Sequence, residues 1–439
     1  MVARLASAAV LACAAFAAHA AEPVYGPPAP GAAVSDAGRP AMVPRALHEA
    51  ASIAVATHPA IAAARSEARS LQASYRGAKW LRFPNLSVDA LAVTGGNGVG
   101  TRDGLALNAT VEQPIWAGGR VGGQIRRARA EWNAAQSREE AAAQDVALSV
   151  VAAFYDLALA EARHGVLIEN LSQHAMLLAS IERRVNREVS PRADLILGRS
   201  RVAQIELELA GAQELAASAR ARLDELTGGA PVQPDHLPAS PALAAQMPAE
   251  GQAIERTLAC NPALAALDDA ETAARAAKTV ARSGLFPEVL GQLSHNEITG
   301  SRAAVVVRAQ TGNGLGKLSA IEGAQARIEQ VSHQHSDTVR ALREALRSDY
   351  ARLRSAMVRL SAGDEAADTA GQITESYKRQ FVAGRRGWLD VMNAVREAGS
   401  ARIARVDADN AAMRSAARIM LLSCAWEPGT PDQNADGGK

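Results

Sequence analysis

The chain has 439 residues, carries 47 basic and 46 acidic side chains, and is 48% hydrophobic. This near balance of charge gives no electrostatic argument for a nucleic-acid partner. Aromatic residues make up only 3% of the chain, too few for a conventional globular core of this size. The excess of alanine instead favours helices that approach each other closely.

The first twenty residues have the pattern of a secretory signal peptide. Arg4 precedes the apolar run Leu5 to Ala18, and Ala18-His19-Ala20 resembles a cleavage site. We therefore predict a signal peptide over residues 1–20 and a flexible Pro/Gly/Ala-rich lead-in over residues 21–44. Cys13 lies in a weak lipobox-like context. Cleavage there would leave an implausibly short leader, so lipidation of Cys13 is the less favoured alternative.

The mature chain keeps two cysteines, Cys260 and Cys424, in an oxidising compartment. The sequence leaves open whether these two cysteines form a disulfide bond, because it does not place them in contact. The expectation favoured here is free, buried thiols.

After Pro44, the pattern predicts a helix over 45–57 and another over 60–81, which ends before Phe83-Pro84. The interval 85–112 then alternates apolar and polar residues with period two, which predicts a hairpin of two strands around a glycine-rich loop. Strands of roughly nine residues suit a tilted transmembrane strand. Trp80, Phe83 and Trp116 flank the hairpin like interfacial anchors.

The stretch from Gly119 to Pro191 has no proline before its last residue, and from Val146 onward its apolar positions follow a heptad seam. A helix of this size reaches roughly 100 Å. Further helical stretches follow over 191–226 and 319–426, the latter with a turn near 384–390. The seam predicts a long helical bundle.

The chain contains an internal repeat. Pro59-Ala-Ile-Ala-Ala recurs as Pro262-Ala-Leu-Ala-Ala, and Phe83-Pro84 recurs as Phe286-Pro287, both 203 positions later. We predict a first repeat over 45–228 with its tip near 188–194, and a Pro-rich linker over 229–253. The second repeat follows over 254–426, with a strand hairpin at 288–310 and its tip near 384–390. The tail 427–439 is predicted to be disordered.

Four amphipathic strands cannot close a barrel alone, and open edges are not tolerated in lipid. Three chains would supply twelve strands, an even number found among outer-membrane barrels. The predicted fold class is an α+β membrane protein, a trimeric 12-stranded barrel continued by a helical coiled-coil tunnel. The residues predicted to face lipid are Leu86, Val88, Leu105, Leu107, Val305 and Val307.

The chain resembles the family of outer-membrane channels whose type member is TolC. The resemblance is carried, in order, by His58-Pro-Ala-Ile61, Phe83-Pro84, Val111 to Arg120, Val189 to Leu195, Leu226-Thr-Gly228 and Phe381 to Val391. It implies a homotrimer located in the outer membrane and spanning into the periplasm. It also implies two partners, a periplasmic adaptor protein and an inner-membrane transporter, either an ABC transporter or a proton-driven pump.

Two segments, Gln113 to Arg120 and Thr311 to Gly316, look closest to channels of type I protein secretion, especially those that export large adhesins. Two alternatives remain open. One is a drug or small-molecule efflux channel on the same scaffold. The other, from a different class, is a periplasmic structural coiled-coil protein with a small soluble sheet.

The resemblance also assigns roles to the two helix turns. It implies a periplasmic gate formed by Asp194, Arg386, Asp390 and Asn393, in which Arg386 holds Asp194 in the closed state. It implies adaptor docking at Glu188, Val189, Ser190, Arg192, Gly384, Arg385 and Gly387. Glu188 departs from the family by standing where Gly384 keeps a turn glycine, and Asn393 stands where the type member has a second pore aspartate.

No pattern of an enzyme is found in the sequence. Thr311 to Lys317 lacks the first glycine and the final Ser/Thr of a phosphate-binding loop. His164 and His174 are too far apart along a helix to share a metal, and His333 and His335 point to different sides. We therefore predict no catalytic residues, no metal site and no cofactor.

Overall fold

A computed structural model describes residues 39–93, 104–235, 243, 246–296, 300–309 and 315–429. All of them belong to one compact unit, Ser35–Lys439. The predicted signal peptide, most of the lead-in, Thr311 to Gly314 and the end of the tail lie outside the described residues.

The described elements follow one order twice. The first half contains α1 (Arg45–Thr57), α2 (Pro59–Trp80), β1 (Asn85–Val93), β2 (Gly104–Trp116), α3 (Arg120–Asn186) and α4 (Arg192–Leu226). The second half contains α5 (Glu250–Cys260), α6 (Pro262–Ser283), β3 (Glu288–Asn296), β4 (Gly300–Arg308), α7 (Gly316–Val382) and α8 (Trp388–Leu422).

The two halves match in the lengths of their helices. The helices α2 and α6 have 22 residues each, α3 and α7 have 67 each, and α4 and α8 have 35 each. Up to the first strand of each hairpin, equivalent residues of the two halves are 203 positions apart. From the second strand onward, they are 196 positions apart. The loop between β3 and β4 is therefore seven residues shorter, and the predicted repeat is present in the fold.

The boundary between the first two helices of each half is set by a cap followed by proline. His58 Nδ1 accepts a hydrogen bond from the Ala60 N–H at 3.2 Å, and Asn261 Oδ1 accepts one from the Ala263 N–H at 3.1 Å. Pro59 and Pro262 occupy the first helical position, where a missing N–H costs nothing.

The heptad seam of α3 packs against neighbouring helices as predicted. Val150, Ala153 and Leu157 are fully buried. The other seam positions are buried or half-buried, namely Val146, Ala160, His164, Leu167, Leu171, His174, Leu178, Ile181 and Val185. The main apolar core lies about midway along α3 and α7, where α1 and the end of α8 join them. Asp349, buried on α7, is held there by Arg418 of α8, with the Arg418 Nε 3.1 Å from its carboxylate.

Segments predicted to be linkers contribute to this core. Val43, in the predicted lead-in, and Val232 and Leu243, in the predicted Pro-rich linker, are all buried in it. The helix α5 begins at Glu250, inside the predicted linker. Isolated apolar residues among prolines carry no periodicity, so their burial was invisible in the sequence pattern.

The four strands form one antiparallel sheet in the order β1-β2-β3-β4. Leu86 pairs with Val111, Val111 with Leu293, and Leu293 with Ala303, so these residues share one face. β2 runs past its predicted end to Trp116, with an irregularity in its pairing between Pro114 and Trp116. A proline cannot donate a ladder hydrogen bond, which accounts for the irregularity.

The expectation of free, buried thiols is wrong. Cys260 and Cys424 are joined by a disulfide bond, with their Cα atoms 6.5 Å apart. Cys260 is exposed and Cys424 half-buried. The residues are 164 positions apart, and only the folded second half brings them together.

Candidate functional site

The first candidate feature is the turn that joins α3 to α4. Glu188 has a positive φ of 58°, and the Val189 N–H donates to the Arg184 carbonyl at 2.9 Å. This is the Schellman arrangement, in which one residue in the left-handed region ends a helix. Pro191 then caps α4, whose first turn contains Asp194.

The turn between α7 and α8 repeats this geometry. Gly384 has a φ of 71°, and the Arg385 N–H donates to the Gln380 carbonyl at 2.9 Å. Glu188 and Gly384 are therefore structural counterparts, as the family resemblance implied. The first turn places a glutamate where the backbone favours glycine.

A small apolar cluster holds the two turns together. Its buried members are Ile181 of α3 and Trp388 and Met392 of α8. Around them pack Leu177, Val185, Leu195 and Phe381, and the Arg184 guanidinium lies 5.3 Å from the centre of the Phe381 ring. We call these two turns and this cluster the tip, residues 177–199 and 377–396.

Arg386 contacts three neighbours of its own hairpin. Its guanidinium lies 3.9 Å above the Tyr377 ring, its Nε donates to Gln380 at 3.4 Å, and its Nη1 is 3.7 Å from Asp390 Oδ2. No ion pair joins Arg386 to Asp194 within the described chain. The implied pairing between these two residues, which would bridge neighbouring hairpins, stays a prediction.

The other predicted tip residues lie on the surface. Val189, Arg192, Gly384, Arg385 and Gly387 are exposed, Ser190 is half-buried, and Asn393 is exposed on α8. Sequence reasoning missed exposed apolar side chains beside them, namely Ile196, Val382 and Leu389. It also missed Tyr377 and Gln380, because a contact across a turn of unknown geometry leaves no sequence pattern.

The apolar face of the sheet is the second candidate feature. Leu86, Val88, Leu107, Val305 and Val307 are between 46% and 69% exposed, and the register places them on one face. The Leu105 side chain lies outside the described residues. The opposite face carries Asp89, Glu112, Gln292, Arg302 and Arg308, of which Arg308 pairs with Glu112 at 3.2 Å.

Aromatic side chains line one end of the sheet, where its strands meet the helices. Trp80 and Phe83 stack in a tilted pair 5.1 Å apart, and Trp116 and Phe286 form an edge-on pair 6.1 Å apart. All four are exposed to a large degree. Such amphipathic rings are typical of the boundary between lipid and water.

The histidines have ordinary structural partners. Buried His174 bonds through Nδ1 to the Asn170 carbonyl at 2.9 Å, and desolvation lowers its pKa, as do Arg201 and Arg396 nearby. His164 lies 3.3 Å from Gln213, and His335 lies 3.4 Å from Asp268. Within the described ranges no three His, Cys, Asp or Glu side chains group to hold a metal.

The fold and the two features together define a class of protein, the outer-membrane channels in which long helical hairpins extend from a β-sheet. Residues 50–229 match the family described as outer membrane efflux protein. This match and the fold support the TolC family of outer-membrane channels, which the sequence motifs indicated. Over residues 50–229 the chain is therefore similar to transport proteins of the outer membrane.

Solved structures share the fold at low sequence identity. The outer-membrane channel OprN is 19% identical, with a TM-score of 0.77 over 91% of this chain and 98% of its own. The outer membrane protein VceC from Vibrio cholerae is 17% identical, with a TM-score of 0.75 over 86% and 95%. The MtrE channel from Neisseria gonorrhoeae is 16% identical, with a TM-score of 0.71 over 86% and 88%. No curated protein matches the chain in sequence.

Proposed function

We propose that three copies of this chain form an export duct from the periplasm to the outside of the cell. The observation that carries this is the sheet. One of its faces exposes Leu86, Val88, Leu107, Val305 and Val307 and, among the described strands, β1 and β4 each pair along one side only. Open edges are not tolerated in lipid, so β1 of one copy must pair with β4 of the next. Three copies give a twelve-stranded barrel.

The aromatic pairs orient the duct. Trp80, Phe83, Trp116 and Phe286 lie where the sheet passes into the helices, so that end of the barrel lies at the inner boundary of the outer membrane. The 67-residue helices α3 and α7 each extend roughly 100 Å. They carry the tip into the periplasm.

One observation invites a different membrane topology. The helix α3 contains an apolar window long enough, by length and composition, to cross a membrane. However, its central residues Val146, Val150 and Leu157 are buried in the main core against other helices. The window is better explained as a core helix of the periplasmic part.

The tip is the proposed docking site for a periplasmic adaptor, which connects the duct to an inner-membrane transporter. Exposed Val189, Val382 and Leu389 offer apolar contacts, and Arg192 and Arg385 are exposed without an ion-pair partner in the described chain. A rigid scaffold that presents turns at its end is a common design for recognition.

Type I protein secretion is the proposed activity, and it rests on the resemblance of Gln113 to Arg120 and Thr311 to Gly316 to such channels. The partner is then an ABC transporter. Efflux of small molecules is the second candidate, favoured by the description of the matched family. In that case a proton-driven pump is the expected partner.

Deletion of the gene tests the activity. Type I secretion predicts that a large secreted protein disappears from the culture medium, while sensitivity to small toxic compounds stays unchanged. Raised sensitivity with an unchanged medium would instead establish efflux. Fractionation of the same cells tests the duct itself, because a soluble monomer in the periplasm would establish the structural coiled-coil alternative.

A further inference from the structure

The disulfide occupies a position that both halves of the chain build. Cys260 ends α5, and 203 positions earlier Thr57 ends α1. Cys424 lies just after α8, and 196 positions earlier Gly228 lies just after α4. A Cβ built on Gly228 would lie 4.0 Å from Thr57 Oγ1, so the repeated fold brings the equivalent pair together in the first half as well.

The backbone at Cys424 is one that glycine normally occupies. Cys424 has a φ of 52°, and the Ala425 N–H donates to the Met420 carbonyl at 2.9 Å. Gly228 has a φ of 66°, and the Gly229 N–H donates to the Asp224 carbonyl at 2.7 Å. Both are Schellman helix ends, at which a side chain is unfavourable. A cysteine is therefore a poor choice for ending α8 and serves another purpose.

The neighbouring residue Trp426 indicates that purpose. Trp426 is 1% exposed, lies in the main core, and donates its indole N–H to His48 Nδ1 at 3.0 Å. His48 belongs to α1 of the first half, so Trp426 fastens the end of the second half to the first. The disulfide lies two residues from this anchor, and closes a ring that contains α6, β3, β4, α7 and α8.

We propose that Cys260 and Cys424 are an oxidative modification site, at which a protein disulfide oxidant of the periplasm closes the second half and locks Trp426 in the core. The proposal rests on the proposed function only for the periplasmic location. Exposed Cys260 is accessible to the oxidant. Its thiolate attacks the oxidant's disulfide to form a mixed disulfide, and the Cys424 thiolate then attacks the Cys260 sulfur. The oxidant leaves as a dithiol, having received two electrons and the two protons that the chain released.

The first test follows the thiols of the full chain in cells. Thiols are trapped with a maleimide polymer that slows migration on a gel, with and without prior reduction. In cells with a periplasmic disulfide oxidant, reduction should expose two additional reactive thiols, and in cells without it both should react before reduction. Two thiols that react before reduction in both strains would overturn the proposal. So would a bond that forms equally without the oxidant. Neither result depends on transport.

The second test asks whether the bond locks the fold. Reductant should lower the melting temperature of the purified chain by about 5 °C or more, and should not change that of Cys260→Ser. Cys424→Gly removes the bond while keeping a residue that suits the backbone, so it controls for damage to the helix end. An unchanged melting temperature of the wild type under reductant would show that the bond locks nothing.

The third test uses the repeat. Thr57→Cys with Gly228→Cys, placed in the chain lacking Cys260 and Cys424, should form a disulfide in the first half. Thr57→Cys alone is the matched control and should stay reduced. If the double variant stays reduced as well, the correspondence between the two halves that supports the proposal fails.

Discussion

The two turn residues Glu188 and Gly384 show how one side chain breaks the symmetry of an otherwise repeated fold. Both occupy the left-handed region, at φ values of 58° and 71°. A non-glycine residue there costs about 1 kcal/mol or more. The family resemblance predicted that the positions correspond, but only the backbone shows that Glu188 adopts the glycine conformation instead of reshaping the turn.

Exchanging these two residues tests the cost. Glu188→Gly should stabilise the first turn by about 1 kcal/mol, and Gly384→Glu should destabilise the second by a similar amount. Hydrogen exchange of the amides in each turn measures the local change. If Gly384→Glu leaves exchange of the second turn unchanged, the left-handed conformation is not what limits its stability.

Arg386 has two candidate partners, and substitutions distinguish them. Within the chain it lies 3.7 Å from Asp390, whereas the family resemblance pairs it with Asp194. An exposed ion pair contributes about 0.2–1 kcal/mol, so three additive copies bias closure by roughly 3- to 150-fold. We expect Arg386→Ala and Asp194→Ala to raise the fraction of time that the channel is open in planar bilayers. High salt should have part of the same effect, because it screens the ion pair.

Asp390→Ala is the discriminating variant. If it opens the channel as much as Arg386→Ala while Asp194→Ala has no effect, the lock lies within one hairpin and the implied pairing is wrong. If all three variants conduct like the wild type as intact oligomers, no such lock exists.

His174 makes the helical part sensitive to acid. Burial lowers its pKa from the usual 6.5. Just below pH 6.5, His174 therefore binds a proton in the unfolded chain but stays neutral in the folded chain. This contribution to stability is present above pH 6.5 and is lost as the pH falls towards the lower, folded pKa, by up to about 1.4 kcal/mol per pH unit. His174→Asn should reduce the loss of stability between pH 7 and pH 5, measured by denaturant unfolding.

The half-buried seam residue His164 supplies the matched control. The loss of stability between pH 7 and pH 5 should be reduced more by His174→Asn than by His164→Asn. Equal slopes for wild type and His174→Asn would contradict the role of His174.

Strands and helices were largely predictable because their patterns have distinct periods. Period two marked the hairpins and the heptad marked α3, and the structure places both within a few residues of the prediction. The features that the sequence did not reveal depend on long-range contacts without a period. Buried Val232, the Cys260–Cys424 bond and the contact of Arg386 with Tyr377 are of this kind.

The sheet offers a prediction with an internal control. Leu107 lies on the apolar exposed face, and its neighbour Asn108 lies on the polar face. An arginine facing lipid costs about 2–4 kcal/mol near the membrane centre, whereas one facing the lumen is tolerated. Leu107→Arg should therefore reduce assembly of the heat-sensitive oligomer, while Asn108→Arg should assemble normally. Equal assembly of both would mean that the faces are assigned wrongly.

The surfaces of a single chain indicate that it assembles with further copies. Among the described strands the sheet leaves two edges, and its apolar face has no cover. Both are signs of missing neighbours. The number of neighbours follows from closure of a barrel and not from any contact within the chain.

Crosslinking between the two outer strands tests closure by three copies most directly. Val88→Cys on β1 and Val305→Cys on β4 are exposed on the same face, and a flexible bismaleimide can join them between copies in intact membranes. A closed ring of three predicts bands of two and three chains and nothing larger, and single-cysteine variants should not pass the two-chain band. A ladder that continues beyond three chains, or monomer alone, would contradict it.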